Sequence, residues 1–335
     1  MTVRSIFLCN NRNEIDRVYD SRAKEILKTE ANIDCNTYCK EDIVSSKGKF
    51  DDVDFIFSTW GMPFFTEDEI TDYLPALKCV FYSAGTVQYF ARPFLEKGIK
   101  VFSAWSANAV PVAEFTVSLI LLASKGFLPL CSRMSRGDVS GARKHCVGFP
   151  GNYGETIGII GAGKIGRLVI DSLHLHELKI AVFDPFLPDS AAKELGVIKC
   201  TLPELFEKSF IISNHLANNA QTKGMLDYDL FSKMRENATF INTGRGAQVV
   251  EDDLVRILSE RPDITAILDV TDPEPPHDGH PFFGLDNCYL TPHIAGSSGD
   301  EVHRMPYCMI DQFRKYISGE KCEYEVTVDM LATMA

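Results

Sequence analysis

The sequence predicts an α/β protein of two lobes, each built on a parallel sheet, with a cleft between them. Three observations carry this expectation. The chain has 335 residues, more than a single hydrophobic core usually organises. Short apolar runs alternate with amphipathic stretches along most of it, the pattern of strands covered by helices. A glycine-rich turn at Gly161 then joins one apolar run to a helical pattern and starts a second series.

In the first lobe the strand candidates are Ser5 to Cys9, Asp54 to Trp60, Leu77 to Ala84 and Lys100 to Ala104, separated by polar amphipathic stretches such as Glu14 to Thr29. Val110 to Ser124 is a strongly apolar helix whose only charge is Glu114, and it ends near Gly126 and Pro129. It suits a core or interdomain helix, or an oligomer contact. Arg133 to Tyr153 holds four glycines, loses periodicity and reads as a connecting loop. The second series has strands near 156–161, 179–184, 210–215, 238–243, 264–270 and 288–291. Asp300 to Ser318 is helical in pattern, and the strand-like tail Tyr324-Glu-Val-Thr-Val is too small to bury a core alone. It is expected to pack back on the first lobe. The domains are therefore 1–108 plus 304–335, and 109–303.

Apolar content of 45% and charged content of 24% are ordinary for a globular chain. The formal charge of −12, with no Lys/Arg run to offset it, argues against a nucleic-acid partner. An anionic ligand would need local cationic help. No run of 18 apolar residues occurs, and the longest stretch, around Phe115 to Ala123, is short for a bilayer, so no membrane association is expected. The N-terminus enters a strand pattern at once and lacks a signal-peptide cleavage region, so a cytoplasmic location is expected. Ten cysteines are scattered without a Cys-x-x-Cys pair. Buried, reduced thiols and no structural metal are expected.

Thr156-Ile-Gly-Ile-Ile-Gly161-Ala-Gly163-Lys164-Ile165-Gly166 runs from strand to helix through G-x-G-x-x-G. Gly161 allows the tight turn, Gly163 lets backbone approach a pyrophosphate, and Gly166 allows close helix–strand packing. The helix N-terminus adds free N–H donors and a favourable dipole. The next strand ends in Asp184, near the roughly 20-residue offset of a ribose-binding acid. A carboxylate there suits NAD and repels the 2′-phosphate of NADP. A Rossmann-like lobe binding NAD is the expectation.

Three polar residues follow strand candidates in this lobe: Arg245 in Asn-Thr-Gly-Arg-Gly246, Glu274 in Asp-Pro-Glu-Pro-Pro276, and His293 in Thr-Pro-His-Ile-Ala-Gly296. In open α/β sheets ligands sit beyond the carboxyl ends of the strands. There a guanidinium fork can hold a carboxylate and a keto oxygen, an imidazole can exchange a proton with that oxygen, and a carboxylate can orient the imidazole. Taken singly, Glu274 reads equally as a solvated loop acid and Arg245 as a surface salt bridge. His277 and His280 share a Pro-rich loop without metal-ligand spacing. His215 ends a strand on the cofactor side.

In combination these motifs resemble the D-isomer-specific 2-hydroxyacid dehydrogenases, from about Val80 to Met305 and most strongly from Gly158 to Gly296. The resemblance implies two Rossmann-like or flavodoxin-like lobes. It implies an NAD-dependent reduction of a 2-oxo acid to a 2-hydroxy acid, with Arg245 binding substrate, His293 as acid/base and Glu274 as its partner. Cofactor contacts would come from Gly161, Gly163, Lys164, Ile165, Gly166, Asp184, His215, Leu216, Ala217, Thr243, Gly244, Asp269, Ala295 and Gly296, with Asp269 beside the nicotinamide. Backbone amides of Ala84, Gly85 and Thr86 would hold the substrate carboxylate, Asn108 to Glu114 would form the crossover, and a homodimer is implied.

Two departures stand out. Ala217 occupies a place where the family often has proline, and the Asp-rich loop usual after Gly85 is replaced by Thr-Val-Gln-Tyr, so no single member's substrate carries over. Glu274 speaks for hydroxy-acid chemistry, since a formate dehydrogenase would be expected to carry Gln there. The alternative is a dinucleotide-sensing protein resembling the C-terminal-binding corepressors, whose output is partner contact. It can keep the same trio.

Overall fold

The computed structural model describes residues 3–332. The chain divides into two compact units, Met1–Asn108 with Ser297–Ala335, and Ala109–Gly296. The second crossover falls at 296/297 rather than at the expected 303/304. The reason is local: the N–H of Ser297 donates to the Asn108 side chain at 3.1 Å, and Val302 is buried in a core of the first unit.

The first unit runs β1 (Ser5–Leu8), α1 (Arg12–Val18), α2 (Ser21–Glu30), β2 (Ile33–Tyr38), α3 (Lys40–Val44), β3 (Phe55–Ser58), α4 (Glu67–Tyr73), β4 (Cys79–Tyr82), α5 (Ala91–Glu96) and β5 (Lys100–Ser103). β2 was not expected from the sequence, because its Ile33-Asp-Cys-Asn-Thr-Tyr38 is mostly polar and partly exposed at the sheet edge. Strands β2-β1-β3-β4-β5 lie in that order and pair in parallel, the doubly wound flavodoxin-like arrangement. The tail adds an antiparallel edge strand, Glu325–Val326, beside β5. Alternating residues feed two cores: Ile6, Leu8, Ile56, Val80 and Val101 on one face, and Phe7, Phe55, Phe57, Phe81 and Phe102 on the other.

α6 (Trp105–Ala123) carries the chain into the second unit. It starts earlier than the apolar run suggested, and among the described residues it alone is long and apolar enough, by length and composition, to cross a membrane. Ala113, Ile120 and Ala123 are buried in the second unit's core, and the Thr116 hydroxyl meets that of Thr243 at 2.9 Å. The expected loop at 133–153 is instead largely helical, with α7 (Phe127–Ser135) and α8 (Val139–His145). Gly137, at φ +78°, breaks the chain between them, and the Asp138 carboxylate caps α8 by accepting the Gly141 N–H at 2.9 Å. Basic residues fill its last turn, complementing the helix dipole.

Then follow β6 (Tyr153–Ile160), α9 (Lys164–Leu173), β7 (Glu177–Phe183), α10 (Asp189–Glu194), β8 (Ile198–Lys199), α11 (Leu202–Lys208), β9 (Ile211–Asn214), α12 (Tyr228–Phe231), β10 (Thr239–Asn242), α13 (Glu251–Glu260), β11 (Thr265–Leu268) and β12 (Cys288–Leu290). The sheet order β8-β7-β6-β9-β10-β11-β12 is all parallel. This is the Rossmann order, with its switch between β6 and β9. Back in the first unit, α14 (Arg304–Ser318) buries Met305, Met309, Ile310 and Phe313, and leads to the edge strand, β13.

All ten cysteines are free thiols, but Cys35, Cys131 and Cys146 are exposed rather than buried. Cys35 sits on the edge strand β2, and the other two lie in the helical 127–148 segment whose outer face the sequence pattern does not mark.

Candidate active site

The β6–α9 turn is shaped for a pyrophosphate. Gly161 stands at φ +92°, and a Cβ there would lie 2.9 Å from the His215 carbonyl oxygen. A Cβ on Gly166 would lie 2.0 Å from the Gly161 carbonyl, so neither position admits a side chain. Gly163 faces open space, Lys164 is exposed, and α9 has no side-chain cap on its first N–H groups. These are the open donors that a phosphate needs. Ile165 is half-buried against the adjoining core.

Asp184 does two jobs. Its Oδ2 accepts the Ala162 N–H at 2.7 Å, pinning the glycine-rich turn, while Oδ1 accepts the Phe186 N–H at 2.8 Å. Each oxygen retains a lone pair for a ribose hydroxyl. Across the switch point His215 stacks no charge beside the turn: burial pushes its pKa down to about 4, so the ring is neutral at pH 7. Its Nε2 meets the Ser213 hydroxyl at 3.0 Å, and its buried Nδ1 has no partner among the described residues. An orphaned ring nitrogen and a glycine cradle fit a bound dinucleotide. Leu216 is half-buried, and Ala217 turns its carbonyl to the Thr222 hydroxyl at 2.6 Å.

Arg245, Glu274 and His293 come together in this unit. Arg245 follows β10 in an extended conformation, half-buried, its Nη1 donating to the Gly244 carbonyl at 2.8 Å. Burial pushes its pKa down and the nearby charge of Glu274 pushes it back up. The guanidinium stays cationic. The Glu274 carboxylate lies 2.5 Å from His293 Nδ1. That contact directs Nε2 away from the pair. The Thr243 hydroxyl is spent on Thr116, so this residue offers a ligand only its backbone.

His293 is one of the few non-glycine residues with a left-handed backbone, at φ +55°. Asp269 stabilises that turn from below. Its side chain, 2% exposed, accepts the Thr291 hydroxyl at 2.6 Å and the N–H groups of Ile294 and Ala295 at 2.8 and 2.9 Å. The expectation put Asp269 beside the nicotinamide; its side-chain bonds all go to the histidine turn. Gly296 closes the segment and the unit.

In the first unit, Ala84, Gly85 and Thr86 follow β4. The Ser103 hydroxyl occupies the carbonyls of Ala84 and Gly85 at 2.9 and 2.5 Å, and Thr59 occupies that of Ser83 at 2.8 Å. Tyr19, fully buried, bonds the Ser83 hydroxyl at 2.7 Å. With the carbonyls turned inward, the N–H groups of Gly85 and Thr86 meet no protein acceptor among the described residues. Such a loop suits a carboxylate.

Sequence reasoning missed several supports. Ser103, Thr59 and Tyr19 sit inside strand or helix patterns where a hydroxyl gives no warning. Asn214 and Asn242 gave a weak one: both are amides closing apolar strands. His280, set aside as a metal ligand, lies 3.3 Å from Glu251, and no metal-ligand cluster occurs among the described residues.

The model of the family described as "D-isomer specific 2-hydroxyacid dehydrogenase, NAD binding domain" matches residues 117–295. D-3-phosphoglycerate dehydrogenase of Methanocaldococcus jannaschii is 32% identical over 234 residues, 70% of this chain and 44% of that protein. Hydroxypyruvate reductase of Thermotoga maritima is 29% identical over 66% of this chain and 71% of its own. The chain thus spans less than half the length of the D-3-phosphoglycerate dehydrogenases it matches, that of Archaeoglobus fulgidus included at 38%. Among solved structures, a phosphoglycerate oxidoreductase from Rhizobium etli superposes with a TM-score of 0.82 at 22% identity, covering 98% of this chain and 99% of that one, a likeness of fold. With a match across more than half its length, the chain belongs to the D-isomer specific 2-hydroxyacid dehydrogenase family and carries its NAD-binding domain.

Proposed function

We propose that the protein is an NAD-dependent D-2-hydroxyacid dehydrogenase that reduces a 2-oxo acid. The observation that carries this is the His293–Glu274 contact at 2.5 Å, in the same unit as the dinucleotide turn and with Glu274 close enough to act on the Arg245 charge. Bound NADH supplies a hydride for C2 of the substrate. His293 Nε2 gives a proton to the carbonyl oxygen, which becomes the hydroxyl, and the same nitrogen takes it back in the reverse direction. Glu274 holds Nδ1–H and thereby fixes the ring's orientation and tautomer. Arg245 orients the substrate through its planar fork and polarises the carbonyl.

Asp184 favours NAD, because a carboxylate that already serves two N–H groups repels a 2′-phosphate. A homodimer is part of the same reading. Leu122, Phe127, Met134 and Val139 are exposed apolar side chains along α6 to α8, where a second copy would bury them. Light scattering in solution tests it.

The experiment is NADH absorbance loss with glyoxylate, hydroxypyruvate, pyruvate and branched 2-oxo acids, with NADPH in parallel and the product's configuration assigned. Turnover of at least one acid to its D-product, faster with NADH, is expected. Tight NADH binding without turnover across the panel would replace the reading with that of a nucleotide-sensing protein.

A further inference from the structure

Beneath the Arg245 turn lie three amide side chains, Asn214, Asn242 and Gln248, each 0% exposed. Asn214 and Asn242 end neighbouring strands in register. The Asn214 Nδ2 donates to Asn242 Oδ1 at 3.1 Å and to Gln248 Oε1 at 2.5 Å, so both its hydrogens are used. Asn242 turns the other way: its Oδ1 also accepts the Gly244 N–H at 3.1 Å and its Nδ2 donates to the Arg245 carbonyl at 3.0 Å. On the opposite side both backbone groups of Leu216 are held, the N–H by Asn214 Oδ1 at 3.3 Å and the carbonyl by Gln248 Nε2 at 2.8 Å. Leu216 and His215 in turn form the surface that Gly161 abuts.

A connected chain of contacts therefore runs from the glycine-rich turn, through His215 and Leu216, through the amides, to the backbone of Arg245. Buried amides are costly unless satisfied. An apolar trio would fill the same space without that cost, so their hydrogen bonds need a purpose beyond packing. They fix direction, which apolar contacts do not.

We propose that Asn214 and Gln248 are positioning residues that set Arg245 against the dinucleotide turn, so that each tunes both dinucleotide and 2-oxo acid binding without touching either ligand. The proposal rests on the functional reading above. Its mark is a joint effect. Gln248→Met keeps shape and loses the bonds to Asn214 and Leu216; Asn214→Ser, smaller and still polar, loosens the same joint at less risk to folding.

The test measures Kd for NADH by fluorescence, KM for the best 2-oxo acid, and Tm, in both single variants, the double variant and Ile257→Val, a control in the neighbouring hydrophobic layer. Each single variant is expected to raise Kd and KM together by about tenfold, the scale of one lost buried hydrogen bond. The double variant should be no worse than either single, because the pair acts as one unit. The control should lower Tm with Kd and KM unchanged. Kd and KM within twofold of wild type in both singles, with only Tm reduced, would overturn the proposal, as would effects that multiply in the double. The NADH titration requires no turnover. A wild-type protein that binds NADH and reduces nothing would sink the functional reading and leave the Kd ratios to decide this one.

Discussion

The backbone carbonyl of Asp269 accepts the N–H of His293 at 3.1 Å while the Asp269 carboxylate accepts the N–H groups of the two residues that follow. One residue at the end of β11 therefore holds the imidazole-bearing turn from both sides, in a backbone conformation that a histidine adopts uncommonly. Two acidic residues have separate tasks here: Asp269 holds the backbone of the turn through its carbonyl and carboxylate, and the Glu274 carboxylate meets the ring at Nδ1.

Asp269→Asn replaces an acceptor with a donor facing an N–H group. If Asp269 acts through His293, kcat should fall by about tenfold or more with KM for NADH unchanged. A raised KM for NADH at constant kcat would instead make Asp269 a cofactor contact.

Arg245→Lys preserves charge and abandons the fork. A point charge cannot make the paired bonds that hold a carboxylate and align a carbonyl. KM for the 2-oxo acid should rise by about tenfold or more, with a lower kcat. Steady-state kinetics close to wild type would remove Arg245 from substrate binding.

His215 gives a pH signature. Its folded pKa of about 4 lies below the roughly 6.5 of an unfolded histidine, so on acidification the unfolded chain takes the proton first. The contribution to stability is whole above about pH 6.5 and is lost as pH falls toward 4. Its size is on the order of 3 kcal/mol. Thermal midpoints of His215→Leu should therefore fall less between pH 7 and pH 4.5 than those of the wild type. Parallel curves would show that the ring is not held neutral.

Six strands of the second unit were legible because buried parallel strands read as apolar runs, as in Thr239–Asn242 and Thr265–Leu268, whereas β8, two exposed residues at the sheet edge, was not. β2 escaped because an exposed edge strand carries polar residues, and α7 and α8 escaped because they are short and broken up by Gly126 and Gly137 on either side of α7 and by Gly141 inside α8. At the site, Arg245, Glu274 and His293 could be picked out by the chemistry of their side chains. The groups that aim them could not. Asp269 was visible only as an acid in a motif, and the Asn214–Gln248 bond joins residues 34 apart in sequence, which no local pattern encodes.

The most direct measurement compares NADH-dependent 2-oxo acid reduction by the wild type and His293→Ala, with NADH affinity titrated in both. If His293 delivers the proton, the variant should bind NADH as the wild type does and lose about 10² to 10⁴ in kcat. Reduction at the wild-type rate by His293→Ala would contradict the account.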